Sequence, residues 1–88
     1  MKIKLRPRFE KSYRSRILPN KKLVKQTQER IALFRENTMH PLLKNHPLTG
    51  AKRELRSFSV TGDVRIVYQL SGDDDAIFFD IGSHNQVY

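Results

Sequence analysis

Two histidines and one aspartate in this chain have side chains suited to proton transfer. His46 lies in a loop, Asp63 follows a threonine and a glycine in a turn, and His84 lies near the C-terminal end. Imidazole exchanges protons near neutral pH, and a carboxylate can accept a proton or orient a histidine. The alternatives are structural, because a loop histidine can bind a backbone carbonyl and a turn aspartate can accept from backbone N–H groups.

Tyr88 follows His84 by four residues, a spacing that places two side chains on one side of a last helical turn. In a functional site the imidazole would move a proton and the phenol ring would stack on a nucleobase. The alternative is a frayed end whose tyrosine packs on the core.

Four basic residues lie on or beside the predicted strands and could hold phosphate groups. Guanidinium and ammonium groups there would stabilise a pentacovalent transition state at phosphorus. Any one of them alone is more typical of a solvated strand edge. As a set near His46, Asp63 and His84, they favour the functional interpretation: Lys52, Arg53, Arg56 and Arg65.

The first half of the chain predicts a strand and two helices. Residues 2–5 alternate polar and apolar side chains, as in a half-buried strand. Pro7 opens a short helix with an apolar stripe at four-residue spacing, and Asn20 is an N-cap for a second, amphipathic helix that ends near Asn37. The short connection between the helices predicts an antiparallel hairpin.

The second half predicts a loop and three strands. The loop spans Met39 to Gly50, and the strands are Leu55–Val60, Val64–Leu70 and Ala76–Ile81. The element order is therefore β-α-α-β-β-β, an α+β fold in which an antiparallel meander carries the helical hairpin on one face. The other face of the sheet is left free.

Composition restricts the class of protein. The 88 residues (10.4 kDa) suit a single domain over residues 1–88, with 38% hydrophobic and 30% charged residues and a mean hydropathy of −0.62. The longest apolar runs are far shorter than the ~20 residues that span a bilayer, so we expect no membrane segment. The absence of cysteine excludes disulfides and thiolate metal sites, and we expect a cytoplasmic protein without a secretory signal.

The charge is concentrated in the first half of the chain. The net charge is +8, and it divides into +12 over residues 1–56 and −4 over residues 57–88. Such a field favours a polyanionic partner, nucleic acid above all. A soluble basic domain, or a surface for an acidic protein partner, is the alternative.

Several short segments of the C-terminal half resemble the RelE superfamily of toxins from bacterial toxin–antitoxin systems, and most of all its YafQ branch. The resemblance lies in their order and spacing: His46-Pro47-Leu48-Thr49-Gly50, Leu55-Arg56, Val60 to Asp63, Ile66-Val67-Tyr68, and Gly82-Ser83-His84 with Tyr88. It implies the RelE-like, microbial-ribonuclease-like α+β fold. It also implies an mRNA endonuclease that works in the ribosomal A site, is silenced by a cognate antitoxin, and uses neither metal nor cofactor.

In the family a base removes the proton from a 2′-OH, which attacks the adjacent phosphate, and an acid protonates the departing 5′-oxygen. His46, Asp63 and His84 fall on catalytic positions of the YafQ branch, and Tyr88 falls on its terminal aromatic position. Ser59 stands where the branch has a second histidine, and a serine can only hydrogen-bond a phosphate oxygen. We therefore expect His84 as acid, Asp63 or His46 as base or its orienter, and Arg56 or Arg65 at the phosphate.

Two other functions are compatible with the sequence. A ParE-like, gyrase-directed toxin shares the architecture but has no use for the two histidines and the aspartate. A non-catalytic nucleic-acid-binding module would depend on the basic half alone. In each toxin case we expect contact with operator DNA only through the antitoxin complex.

Overall fold

The computed structural model describes residues 1–50, 54–72 and 74–88, which form a five-stranded sheet with three α-helices. The strands are β1 (Ile3–Leu5), β2 (His46–Pro47), β3 (Arg56–Ser59), β4 (Val64–Ser71) and β5 (Asp75–Ser83). Their order across the sheet is β1-β5-β4-β3-β2. Strands β3, β4 and β5 form the antiparallel meander that the sequence predicts, and the α+β class is confirmed.

At its two edges the sheet has pairings that the sequence analysis did not assign. Strand β1 pairs with β5 in parallel, with Ile3 opposite Ala76 and Leu5 opposite Phe78, so the sheet is mixed rather than antiparallel throughout. At the other edge His46–Pro47 forms the short strand β2 inside the segment predicted as a loop. Proline cannot donate a ladder hydrogen bond, which is tolerated because β2 is an edge strand.

The helices follow the predicted order. Helix α1 (Pro7–Ser12) continues as a π-helical segment (Tyr13–Ile17), in which the Leu18 amide donates to the Tyr13 carbonyl at 2.9 Å. Helix α2 (Lys21–Glu36) begins where predicted, because the Asn20 side chain accepts from the Leu23 amide at 3.1 Å. A short helix α3 (His84–Val87) follows β5 directly. No helix in the described ranges is long and apolar enough to cross a membrane.

An aromatic core fills the space between α2 and one face of the sheet. Phe34 of α2 lies 4.6 Å from Phe58, 4.8 Å from Tyr68 and 5.8 Å from Phe78, measured between ring centroids. All four rings are buried. Among the described residues, the opposite face carries a small apolar cluster around Leu48, Val67 and Val87, and no helix layer like α2 covers it; it is called the open face below.

Candidate active site

Arg65 is the centre of a polar cluster on the open face. It lies on β4, two residues from Val67 and therefore on the same side of the sheet. Its Nε donates to the Ser57 hydroxyl at 3.0 Å and to the Tyr88 hydroxyl at 2.9 Å, and its Nη2 donates to the Lys44 carbonyl at 3.0 Å. Among the residues that the structure describes, none accepts from Nη1, so this donor is available to a ligand.

His46 joins this cluster from the edge strand β2. Register places it opposite Ser57, so both side chains project from the open face. Its Nδ1 lies 3.1 Å from the Lys44 carbonyl and 3.3 Å from Arg65 Nη2. The carbonyl can only accept, so a hydrogen bond to it requires the proton on Nδ1, whereas a hydrogen bond from Arg65 requires Nδ1 without a proton. In the first of these tautomers Nε2 is the proton acceptor.

Lys44 supplies that carbonyl through an uncommon backbone conformation. Its φ is +46°, in the left-handed region that non-glycine residues rarely adopt. This conformation ends the 3₁₀ turn Pro41–Leu43 and begins the turn of the chain into β2. The strain, of order 1–3 kcal/mol, coincides with a carbonyl that orients both His46 and Arg65.

Tyr88 lies between the two histidines. Its ring centroid is 6.5 Å from that of His46 and 4.3 Å from that of His84, in both cases edge to face. The two imidazole centroids are therefore at most about 11 Å apart. The Tyr88 hydroxyl also hydrogen-bonds the Ser57 hydroxyl, so the C-terminal residue is fixed to β3 as well as to β4.

Helix α3 fixes His84 and Tyr88 on one side, as their spacing predicts. The Ser83 hydroxyl accepts from the Gln86 amide at 3.3 Å, and the Gln86 side chain accepts from the Ser83 amide at 2.8 Å. This capping box satisfies N-terminal N–H groups that would otherwise lack partners. The Tyr88 amide donates to the His84 carbonyl at 3.0 Å, so the chain end is an ordered turn and not a frayed one.

Asp63 and His84 lie at the same end of the β4–β5 pair. Val64 is opposite Ser83 in register, Asp63 immediately precedes β4, and His84 is the first residue of α3. The hydroxyl of Thr61 accepts from the amides of Asp63 and Val64, so Thr61 and not Asp63 stabilises the turn. Within the described ranges no hydrogen bond uses the Asp63 carboxylate, and its exposed position leaves it accessible to substrate.

Arg56 and Ser59 take no part in this hydrogen-bonded cluster, although Ser59 lies opposite Arg65 in register. Arg56 projects from the opposite face with Phe58, and its Nε donates to the Asn45 side chain, which in turn donates to the Tyr68 hydroxyl. Ser59 is 5% exposed and its hydroxyl donates to the Thr61 carbonyl at 2.6 Å. Lys52 and Arg53 lie outside the described residues.

Sequence reasoning missed Ser57 and the Lys44 carbonyl. Alternation along β3 puts Ser57 on the same face as Ser59, which the resemblance singled out. Ser57 belongs to the polar cluster because the strand register places it opposite His46. No sequence pattern specifies the pairing of a two-residue edge strand. A main-chain carbonyl has no sequence signature at all.

The sequence matches a known protein family over its whole length. A family model described as "Bacterial toxin of type II toxin-antitoxin system, YafQ" matches residues 1–88. The chain belongs to the YafQ toxin family. Among proteins with curated descriptions, none matches it.

Solved structures share the YafQ fold over nearly the whole chain. A copper-bound mutant toxin from Helicobacter pylori is 28% identical, with a TM-score of 0.81 over 100% of this chain and 99% of its own. YafQ from Escherichia coli BL21(DE3) is 22% identical, with a TM-score of 0.78 over 98% and 96% of the two chains. The toxin in the E. coli DinJ–YafQ complex is 23% identical, with a TM-score of 0.80 over the same shares. At these identities the two E. coli structures establish likeness of fold.

Proposed function

We propose that this YafQ-family toxin is an endoribonuclease that cleaves mRNA in the ribosomal A site and so inhibits translation. The observation that carries the proposal is the row of contacts His46–Arg65–Tyr88–His84 on the open face. It provides two imidazoles that can transfer protons, together with a guanidinium that can bind a phosphate.

The geometry suits an in-line displacement at phosphorus. In such a reaction the attacking and leaving oxygens lie on opposite sides of the phosphorus atom, so the base and the acid must be separated. His46 and His84 are at the two ends of the row, with Arg65 between them. A phosphate held by Arg65 Nη1 would therefore have one imidazole on each side.

In this mechanism His46 Nε2 accepts the proton of the 2′-OH, and the 2′-oxygen forms a bond to phosphorus. The bond from phosphorus to the 5′-oxygen breaks, and His84 donates a proton to that oxygen. The products are a 2′,3′-cyclic phosphate and a 5′-hydroxyl end, and no water or metal ion is consumed. Asp63, which immediately precedes β4 at the end where His84 follows β5, would orient the His84 imidazole as it donates this proton.

The experiment is inducible expression in bacteria with mapping of mRNA 5′ ends. Cleavage by the wild type should give 5′-hydroxyl ends, which ligate only after phosphorylation, at positions in frame with translation. His84→Ala and His46→Gln should each lower cleavage by about 100-fold or more, since each removes a proton-transfer group. His40→Asn is the matched control, because His40 caps the Leu42 amide outside the site and asparagine retains an acceptor.

Other results would favour the competing functions. Unchanged transcripts together with DNA damage would indicate a gyrase-directed toxin. Growth arrest that survives both histidine substitutions would indicate a non-catalytic nucleic-acid-binding module.

The partner protein follows from the same family membership. The solved E. coli YafQ complex contains DinJ as its antitoxin, so we propose a cognate antitoxin for this chain, with acidic or amphipathic segments that complement its +8 charge. Operator DNA would be contacted only through that complex. His84→Ala should still bind the antitoxin, which separates loss of chemistry from loss of folding.

A further inference from the structure

A groove of about 500 Å³ continues the open face beyond the Arg65 cluster. Its lining comes from the start of α1, from Leu55 just before β3, from Val67 of β4, from Phe79 and Asp80 of β5, and from Val87 of α3. None of these residues belongs to the proposed catalytic row. The groove is therefore a separate feature of the same face.

The groove begins where the proposed catalytic row ends. Val67 follows Arg65 by two residues on β4, Leu55 precedes Ser57 by two, and Val87 is adjacent to Tyr88. Two residues along a strand span about 7 Å. When a phosphate contacts Arg65, the nucleotide on one side of it is therefore within reach of the groove.

The chemistry of the lining matches an unstacked nucleotide. Val67 and Val87 give an apolar floor, and the ring of Phe79 is half-buried beside them. The Arg6 guanidinium lies over that ring, with Cζ 5.3 Å from the centroid. Aromatic rings and guanidinium planes are the two surfaces on which proteins stack the bases of single-stranded RNA.

The polar residues of the groove carry a net positive charge. The Asp80 carboxylate is buried, accepts from the Ile81 amide at 2.9 Å, and pairs with Arg8 at 3.2 Å and Arg16 at 3.4 Å. Two guanidinium groups thus neutralise one carboxylate, while Arg6 adds a further cation at the rim. The Arg8 side chain is 74% exposed, so it can also reach a phosphate.

We propose that this groove holds the base of the nucleotide next to the scissile phosphate, stacked on Phe79 and Arg6, with Arg8 on its phosphate. The inference rests on the proposed function, because Arg65 sets the position of the strand. RNA is favoured over an antitoxin segment as the occupant because the groove is continuous with the proposed catalytic row. Substrate preference at one position beside the cleavage site would then depend on residues of α1 and β5.

The test measures binding of a short RNA that cannot be cleaved, made so by 2′-deoxy nucleotides. Fluorescence anisotropy at several salt concentrations would compare the wild type with Phe79→Leu and with Arg6→Gln/Arg8→Gln. Phe79→Leu should weaken binding about tenfold by loss of stacking. The double arginine variant should lower the slope of log affinity against log salt by about one, because Arg8 is the arginine placed on a phosphate and Arg6 is placed on the base.

Two controls make the test specific. Lys21→Gln/Lys25→Gln removes the same charge from exposed positions of α2, across the sheet from the groove, and should change affinity less than the arginine variant. For the wild type, an RNA with one abasic nucleotide should bind about tenfold more weakly than the intact RNA. For Phe79→Leu, the abasic RNA and the intact RNA should bind equally well, because the stacking contact is already lost. That non-additivity identifies the nucleotide that occupies the groove.

The outcomes separate this inference from the proposed function. Wild-type binding by both groove variants would overturn the inference, even if cleavage in cells proceeds as proposed. Groove variants that lose antitoxin binding but keep RNA binding would also overturn it and assign the groove to the protein partner. Specific RNA binding without any cleavage by the wild type would support the groove and contradict the nuclease mechanism.

Discussion

At the scale of single residues, the open face distinguishes between two arginines that the sequence leaves equivalent. Arg65 donates to Ser57, Tyr88 and the Lys44 carbonyl, which fixes its guanidinium plane. Arg56 lies on the other face of the sheet and donates to Asn45. A guanidinium held by several acceptors loses little conformational entropy when it binds a phosphate, which makes Arg65 the better candidate for the proposed phosphate contact.

Arg65→Lys should therefore slow mRNA cleavage by about 100-fold, because an ammonium group retains the charge but lacks the fork of donors. Single-turnover cleavage of mRNA on ribosomes with an empty A site measures the effect. Arg56→Lys is the matched control and should leave the cleavage rate within a few fold of the wild type. Equal losses in both variants would contradict the assignment of Arg65 to the phosphate.

At the scale of elements, the junction of β5 and α3 determines the position of the C-terminal half of the site. Gly82 pairs with Arg65, and Ser83 caps α3 immediately afterwards. The Arg16 guanidinium packs over Gly82 and donates to the Ile81 carbonyl at 3.0 Å. The π-helical segment that carries Arg16 is thereby tied to the end of β5, close to His84.

Gly82→Ala should destabilise this junction. A Cβ atom there would lie 2.7 Å from Arg16 Nη1 and 2.7 Å from Gln86 Oε1, and both side chains are held by hydrogen bonds that they would have to give up. We expect a loss of about 1–3 kcal/mol in the free energy of unfolding, together with reduced cleavage. Urea denaturation measures the first effect and the ribosomal cleavage assay the second.

Gly62→Ala provides the comparison for that variant. Nothing lies within 4 Å of a Cβ at Gly62, so its free energy of unfolding should stay within about 0.5 kcal/mol of the wild type. Equal stability of the two variants would show that Arg16 and Gln86 move aside without cost.

At the scale of the whole molecule, one face of the sheet packs against the core and the other carries the candidate site. One face buries the aromatic core under α2, while the other carries the proposed row of catalytic groups and the groove. A small domain has little stability to spare, so the open face depends on the aromatic core for its geometry.

Phe34→Ala should test that dependence. Phe34 is fully buried among Phe58, Tyr68 and Phe78, and its removal should cost about 3–5 kcal/mol of unfolding free energy through lost burial and a cavity. Toxicity should fall because the protein unfolds, although no atom of the site is changed. Leu42→Ala, at a position that is 57% exposed, should leave both the thermal unfolding midpoint and toxicity unchanged.

The sequence by itself determined the order of the main elements and named His46, Asp63, His84, Arg65 and Tyr88. The predicted order of elements is confirmed, because apolar periodicity, turn residues and helix caps act over a few neighbouring positions. The catalytic and binding roles of the five residues stay predictions. The i, i+4 spacing of His84 and Tyr88 is local in the same sense. The structure places all five residues on or beside the open face.

Only the tertiary structure decided which face each strand residue occupies and which distant segments meet. A shift of one residue along a strand moves a side chain to the other face. Arg56 and Ser57 therefore project from opposite faces of the sheet although they are adjacent in the chain. The parallel pairing of β1 with β5 brings Arg6 over Phe79, across almost the whole chain. Such contacts depend on strand register and sheet order, which are set by packing of the complete core and not by any local pattern.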